Sequence, residues 1–192
     1  GDLVGAIDSF EQQLNLQRQL GDKNGEAVAL ANIASTLYAR GDLAEARRKF
    51  EEAVAVFREV DTASGLASSL STFGDVLIHL GRLDEATRRH QEALQIRRDS
   101  GEAAAALDSE RALADIELEQ VLLTGGSFAA VQDAYEDLAR RVDGDTRPES
   151  EVSVLTHLAS AHLAAGDAAA AVALFRAAIA RSVRYAQADY GL

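Results

Sequence analysis

An internal echo constrains this chain more than any other feature. Gly1-Asp2-Leu3, Gly41-Asp42-Leu43, Gly81-Arg82-Leu83, Gly126-Ser127-Phe128 and Gly166-Asp167-Ala168 recur at spacings of 40, 40, 45 and 40. Five residues after each glycine stands Ala6, Ala46, Ala86, Val131 or Ala171. Four residues further on stands Phe10, Phe50, His90, Tyr135 or Phe175. A fixed period in this range means an array of like units, each covering the apolar face of the next.

Each unit reads as two helices. In the stretch from Gly25 to Val60, Ala27, Leu30, Ile33, Ala34, Leu37 and Tyr38 keep the i, i+3, i+4, i+7 spacing of an amphipathic helix. Arg40-Gly41 is a basic last turn followed by a glycine stop. Asp42 and Glu45 have the spacing of a capping box for the next helix, whose apolar face carries Leu43, Ala46, Phe50, Ala53, Val54 and Phe57. A turn of one or two residues forces the two helices antiparallel.

Along the chain this predicts about nine helices, near 2–20, 25–40, 42–60, 64–80, 82–99, 103–124, 127–142, 149–165 and 167–185. The 192 residues are expected to form a single all-α domain: a half repeat at 1–20, then repeats at 25–60, 64–99, 103–142 and 149–185. The five extra residues of the 45-residue interval are placed at Glu102 and the four alanines after it, lengthening the sixth helix. That register puts Glu119 where other repeats carry a small residue. The polar loop from Asp143 to Pro148 is the expected site of mobility or cleavage. The first helix lacks a partner N-terminal to Gly1, and the chain has no methionine; both point to a piece of a longer protein.

Within the units the pattern is more specific than its period. One repeat has Leu30-x2-Ile33-Ala34-x2-Leu37 and then Ala46-x3-Phe50. The next has Leu70-x2-Phe73-Gly74-x2-Leu77 and Ala86-x3-His90, and the last has Leu155-x2-Leu158-Ala159-x2-His162 and Ala171-x3-Phe175. These stand where the tetratricopeptide repeat signature has W-x2-L-G-x2-Y and A-x3-F. The chain therefore resembles the tetratricopeptide repeat family, in a variant of about 40 residues per repeat. The resemblance implies a right-handed α-α superhelix whose first helices line a concave groove where a ligand usually lies.

Little in the sequence points to catalysis. There is no cysteine, no phosphate-binding glycine loop and no G-x-S-x-G. His157 and His162 are five residues apart, on different faces of a helix, and His90 and His162 stand at aromatic repeat positions. No metal, no cofactor and no enzymatic activity are expected. A net charge of −12 disfavours a nucleic acid partner, and no apolar run is long enough to span a membrane.

The basic residues are unevenly spread. Of 19 lysines and arginines, fifteen lie on second helices, and the stretches 27–39, 63–79, 112–124 and 149–165 contain none. Pairs such as Glu45–Lys49 and Glu85–Arg89 account for arginines on helix backs, but not for their absence from the fronts. The resemblance places Asn32, Ser35, Tyr38, Thr72, Asp75, His79, Glu117, Gln120, Thr124, His157 and Ser160 on the groove. Asn32 matches an asparagine that related repeats use to hold a bound peptide's backbone, as an amide that donates and accepts can.

The expected function is a protein- or peptide-binding scaffold preferring basic or neutral segments. Two alternatives stand beside it. One is a regulatory sensor segment of a larger bacterial signalling or transcription protein. The other is an oligomerisation module, a homodimer formed through the stripe of Leu3, Ile7, Phe10 and Leu14. Composition points to a bacterial, cytoplasmic protein. The tail from Tyr185 to Leu192 is a further candidate occupant of the groove.

Overall fold

The structure, a computed structural model, describes residues 2–60, 62–142 and 148–190, with side chains at 148 and 185–190 left out. The expected loop therefore lies outside the description from Asp143 to Arg147, while Pro148 begins a helix; the side chains of the expected tail, and residues 191–192 entirely, also lie outside it. Among the described residues there are nine α-helices and no strand. They are α1 (Leu3–Leu20), α2 (Lys23–Arg40), α3 (Leu43–Glu59), α4 (Ala63–His79), α5 (Leu83–Asp99), α6 (Ala103–Thr124), α7 (Ala129–Val142), α8 (Pro148–Ala164) and α9 (Ala168–Tyr190). The chain forms two compact units, Gly1–Ser109 and Glu110–Leu192.

In the first unit each helix packs on its sequence neighbour, α1 on α2, α2 on α3, α3 on α4 and α4 on α5, and α2 also touches α4. In the second, α8 packs on both α7 and α9. Local chemistry sets the corners. Asp2, Asp22 and Asp167 accept from the backbone N–H three residues on, at 2.9, 2.9 and 3.0 Å, closing the starts of α1, α2 and α9. Gly41 ends α2 at φ 90°, a conformation that a side chain disfavours, and turns the chain into α3.

Asp42 does not cap α3, contrary to the capping box expected from its spacing. Its carboxylate is drawn to the Arg40 guanidinium instead, and Glu45 pairs with Arg48. A charge-assisted bond wins over a neutral backbone donor here. The expected i, i+4 pairs are likewise replaced by i, i+3 pairs: Lys49 with Glu52 at 3.2 Å, and Arg82 with Glu85 at 2.5 Å. Arg89 is 3.8 Å from Glu92 and lies over the Phe73 ring at 5.1 Å.

The core follows the repeat. Ala34 and Gly74 on first helices and Ala46 and Ala86 on second helices are fully covered, so paired helices approach closely. Phe50 fills the space above them and stacks on Phe73, with centroids 6.0 Å apart. Burying a ring of that size stabilises by about 1.5–3 kcal/mol.

The sixth helix corrects the expected register. Gly101 falls 80 residues after Gly21, and α6 starts two residues later, as α2 does after Gly21. No insertion sits at Glu102 and its alanines. Ala114, 80 residues after Ala34, is buried at the small position, and Ile116 is buried where Val76 is. Glu119 is exposed and takes no part in that packing. The extra residues therefore lengthen the C-terminal end of α6, beyond Ile116. There Glu117, 40 residues after the covered Leu77 of α4, is only half-buried.

Candidate functional site

Repeat packing buries one side of each first helix and leaves the opposite polar side in solvent. In the first unit that side belongs to α2 and α4, which lie next to each other. Asn32, Tyr38, Thr72 and Asp75 are half-buried there, and Ser35 and His79 are exposed. Tyr38 and His79 meet edge to face, with centroids 5.4 Å apart, and the Tyr38 hydroxyl lies 3.2 Å from His79 Nδ1. That nitrogen is 2.9 Å from the Asp75 carbonyl oxygen. A carbonyl only accepts, so Nδ1 carries the hydrogen and the Tyr38 oxygen is its second acceptor. The Tyr38 hydroxyl hydrogen and His79 Nε2 are then left facing solvent. Burial, and the negative charge of Asp75, push the Tyr38 pKa above its usual value.

Three of the six groove candidates in this unit thus form one cluster: Tyr38, Asp75 and His79. The other three stand apart. The Thr72 hydroxyl donates to Ser68 O at 3.3 Å. The Asn32 carbonyl accepts from Thr36 at 2.8 Å, and its side-chain amide has no partner among the described residues.

Beneath Asp75 lies His90 of α5, 2% exposed. Its Nε2 is 3.5 Å from Asp75 Oδ1, and neither ring nitrogen makes a hydrogen bond. Gly74 makes room for it: a Cβ there would sit 2.4 Å from His90 Nε2.

The second unit carries a related arrangement on α6, α7 and α8. Tyr135 of α7 is fully buried, and its hydroxyl donates to Asp115 Oδ1. The other oxygen of Asp115 accepts from Arg111 at 2.7 Å. His157 stacks on Tyr135 at 6.0 Å and holds Nε2 3.6 Å from Asp115 Oδ1. Its Nδ1 is 2.7 Å from the Ser153 carbonyl. Burial first, and then the Asp115 charge, raise the Tyr135 pKa far above its usual range. Of the candidates here, His157 belongs to this cluster and Glu117 adds a weaker charge to it. Gln120 and Ser160 do not join it: the Gln120 carbonyl accepts from Thr124 at 2.8 Å, and Ser160 donates to Thr156 O at 3.0 Å.

The N-terminal stripe divides. Ile7 and Leu14 are buried in the first unit, where α1 packs on α2, while Leu3 and Phe10 are half-buried. Among the described residues no cluster of three or more His, Asp or Glu has the geometry of a metal site, and no helix is long and apolar enough to cross a membrane.

Two family models, both described as tetratricopeptide repeat, match the chain, one over residues 1–59 and the other over 66–100 and 152–189. The chain belongs to the tetratricopeptide repeat family. No curated protein matches it in sequence. Solved structures do match it in shape. A kinesin light chain candidate of Podosopora anserina with nearly identical TPR-like repeats is 19% identical, with a TM-score of 0.74 over 96% of this chain and 89% of that one. The apo form of RapI gives a TM-score of 0.79 at 13% identity, over 95% of this chain and 50% of that one. The Rap conjugation gene regulator of plasmid pLS20, in complex with the Phr* peptide, gives 0.70 at 16% identity, over 99% of this chain and 51% of that one.

Within the tetratricopeptide frame, three site residues escape a reading of first helices alone. His90 and Tyr135 sit at the core aromatic position, where packing accounts for the ring but not for its polar tip. Asp115 was hidden by the displaced register. The signal that reveals it is Gly101-Glu102 repeating Gly21-Asp22.

Proposed function

We propose that this chain is a non-catalytic scaffold that binds a protein or peptide segment along the polar faces of its first helices, preferring basic or neutral segments. The observation that carries this reading is the face of α2 and α4. It presents an amide at Asn32, a hydroxyl at Tyr38 and a carboxylate at Asp75, with no lysine or arginine between 27 and 39 or between 63 and 79. Such a face supplies both donors and acceptors to an extended backbone and a negative field to a cation. The pLS20 regulator supports the reading as a similar fold that was solved holding a peptide.

Three pools of labelled random nonapeptides, net basic, neutral and acidic, test the preference by fluorescence anisotropy at low and moderate salt. The reading predicts binding in the order basic, neutral, acidic, with the basic advantage shrinking as salt rises. Preference for the acidic pool, or no binding by any pool, contradicts it.

A sensor role is the second reading. It is favoured by the match to a Pyrococcus horikoshii signal-transduction ATPase with a tetratricopeptide repeat sensor, of which this chain covers 28%. A bound segment would then shift the packing of the repeats and so the placement of whatever adjoins them.

A further inference from the structure

The two carboxylate clusters occupy corresponding repeat positions but differ in their partners. Asp75 and Asp115 are 40 residues apart on successive first helices. His90 and Tyr135 both hold the aromatic position below them. In the first repeat and the last, that position is Phe50 and Phe175, and the residue above it is Ser35 or Ser160. Within this one chain, an acid on the face accompanies a polar ring beneath it, and serine accompanies phenylalanine. That pairing has a physical reason. A carboxylate over an apolar ring has nothing to hold it, whereas a hydroxyl or ring N–H below it can donate.

The next position differs. One helical turn before Asp115 stands Arg111, whose guanidinium occupies the carboxylate at 2.7 Å. One turn before Asp75 stands Ser71, whose hydroxyl is buried without a partner. Asp75 consequently keeps a side chain 47% exposed, and no lysine or arginine of the described residues pairs with it. In the second unit the chain supplies its own cation; in the first it does not.

The geometry points to Asp75 as a subsite for one guanidinium or ammonium group of a bound segment, with the Tyr38 ring beside it and His90 beneath it as a positioning residue. This rests on the peptide-binding reading above and names what its α2–α4 face takes. The cation would sit on the outer carboxylate oxygen, as Arg111 sits on Asp115. The Tyr38 ring adds the attraction of an aromatic face for a cation. His90, with hydrogen on Nε2, donates to Oδ1 once the 3.5 Å gap closes by about half an ångström to ordinary hydrogen-bond length. Both unsatisfied nitrogen positions cannot be relieved this way, but the one aimed at Asp75 can.

The test is an NMR titration of the full chain with N-acetyl-arginine amide, using N-acetyl-citrulline amide as the neutral isostere. The arginine probe should shift Tyr38, Asp75 and His79 together, and the citrulline probe should not. Asp75→Asn should weaken the arginine probe about threefold or more, the size of effect expected from one exposed charge pair. Ser71→Arg should fill the site from within and block the probe. Arg111→Ser should open a second set of shifts at Tyr135 and His157. His90→Phe should weaken the arginine probe, and His90→Tyr, which copies Tyr135, should restore it. A filler of space alone would not distinguish those two rings. Shifts that are scattered, equal for citrulline, or unchanged in Asp75→Asn overturn the subsite. Since Asp75→Asn is a conservative change at a half-exposed position, it decides the matter even if Ser71→Arg fails to fold. If the arginine probe fails while the random peptides above still bind, the subsite falls and the groove reading stands; if the peptides fail as well, both fall.

Discussion

The α4–α5 pair of the first unit and the α6–α7 pair of the second solve one packing problem in two ways. Each buries a polar ring beneath an aspartate on the exposed face of a first helix. Around Asp115 every partner is present: Tyr135 from below, Arg111 from the preceding turn, and His157 alongside. Around Asp75 no such set is present: His90 Nε2 stands 3.5 Å from its Oδ1 without a hydrogen bond. The buried side-chain polar atoms without a hydrogen bond among the described residues are Ser71 Oγ, Arg89 Nε and both nitrogens of His90, all on α4 and α5. A buried polar atom left unsatisfied costs about 1–3 kcal/mol. Proteins keep such costs where function needs the site. The saturated cluster reads as structure, and the unsaturated one is the subsite proposed above.

This contrast can be broken most sharply at Gly74. Gly74→Ala puts a methyl 2.4 Å from His90 Nε2 and 2.5 Å from its Cδ2, so the helices must part. A loss of about 1–3 kcal/mol is expected in a urea unfolding curve. In a His90→Ala background the same Gly74→Ala change should cost much less, because the two changes share one space. Equal loss with and without His90 would show that the close approach does not limit packing there.

The next effect is one of opposite signs. Tyr135→Phe leaves the Asp115 carboxylate without its buried donor and should cost about 1–2 kcal/mol. His90→Phe removes two unsatisfied nitrogens while keeping a ring of similar volume, and should be neutral or stabilising by up to about 1 kcal/mol. If both substitutions destabilise alike, the two clusters do not differ as described.

Alkaline pH probes the saturated side. The folded-state pKa of Tyr135 is raised above 10.0, the value assigned to an unperturbed tyrosine. The unfolded chain ionises first, so stability is full below about pH 10 and falls as pH rises beyond it. Tyr135→Phe should flatten that fall, which chemical denaturation at stepped pH would measure. Tyr38, shifted the same way by burial and by Asp75, should contribute a smaller share.

The smallest expected effect concerns Glu26, the buried acid that the first unit does satisfy. Arg18 Nε at 2.8 Å and Lys23 Nζ at 3.1 Å hold it. The hydrogen bond from Arg18 leads the lowering of its pKa below 4.5. A depressed carboxyl stabilises above its unfolded pKa, and that stability is lost as pH falls through the folded value. Glu26→Gln should therefore lower stability slightly at neutral pH, leave it nearly unchanged at acid pH, and so make the fall of stability on acidification less steep.

Much of the fold could be read from spacing because glycine stops and covered small residues recur at a fixed interval. The sixth helix departs from that spacing at one point. Four consecutive alanines looked like inserted helix, yet Ala106 is buried in the ordinary register and the extension lies near Thr124. Helix propensity does not say which end of a helix has grown. Cap chemistry is less legible: Asp42, the expected cap, is taken by Arg40, whose reach across the turn no pattern records, while Asp2 and Asp22, for which no cap is read in the sequence, do close their helices. At the candidate site, Tyr38, Asp75 and His79 were identifiable as members of exposed faces. That they meet depends on two helices lying side by side. The ring beneath Asp75 was assigned to the core, and its polar tip acquires meaning only next to a carboxylate.

The most direct measurement is a selection from one random peptide library carried out in parallel on the unaltered chain, on Asp75→Asn and on Asp115→Asn. The account predicts that the unaltered chain enriches peptides bearing arginine or lysine, that Asp75→Asn loses this enrichment, and that Asp115→Asn retains it. Enrichment of acidic peptides, or equal loss in both variants, would contradict it.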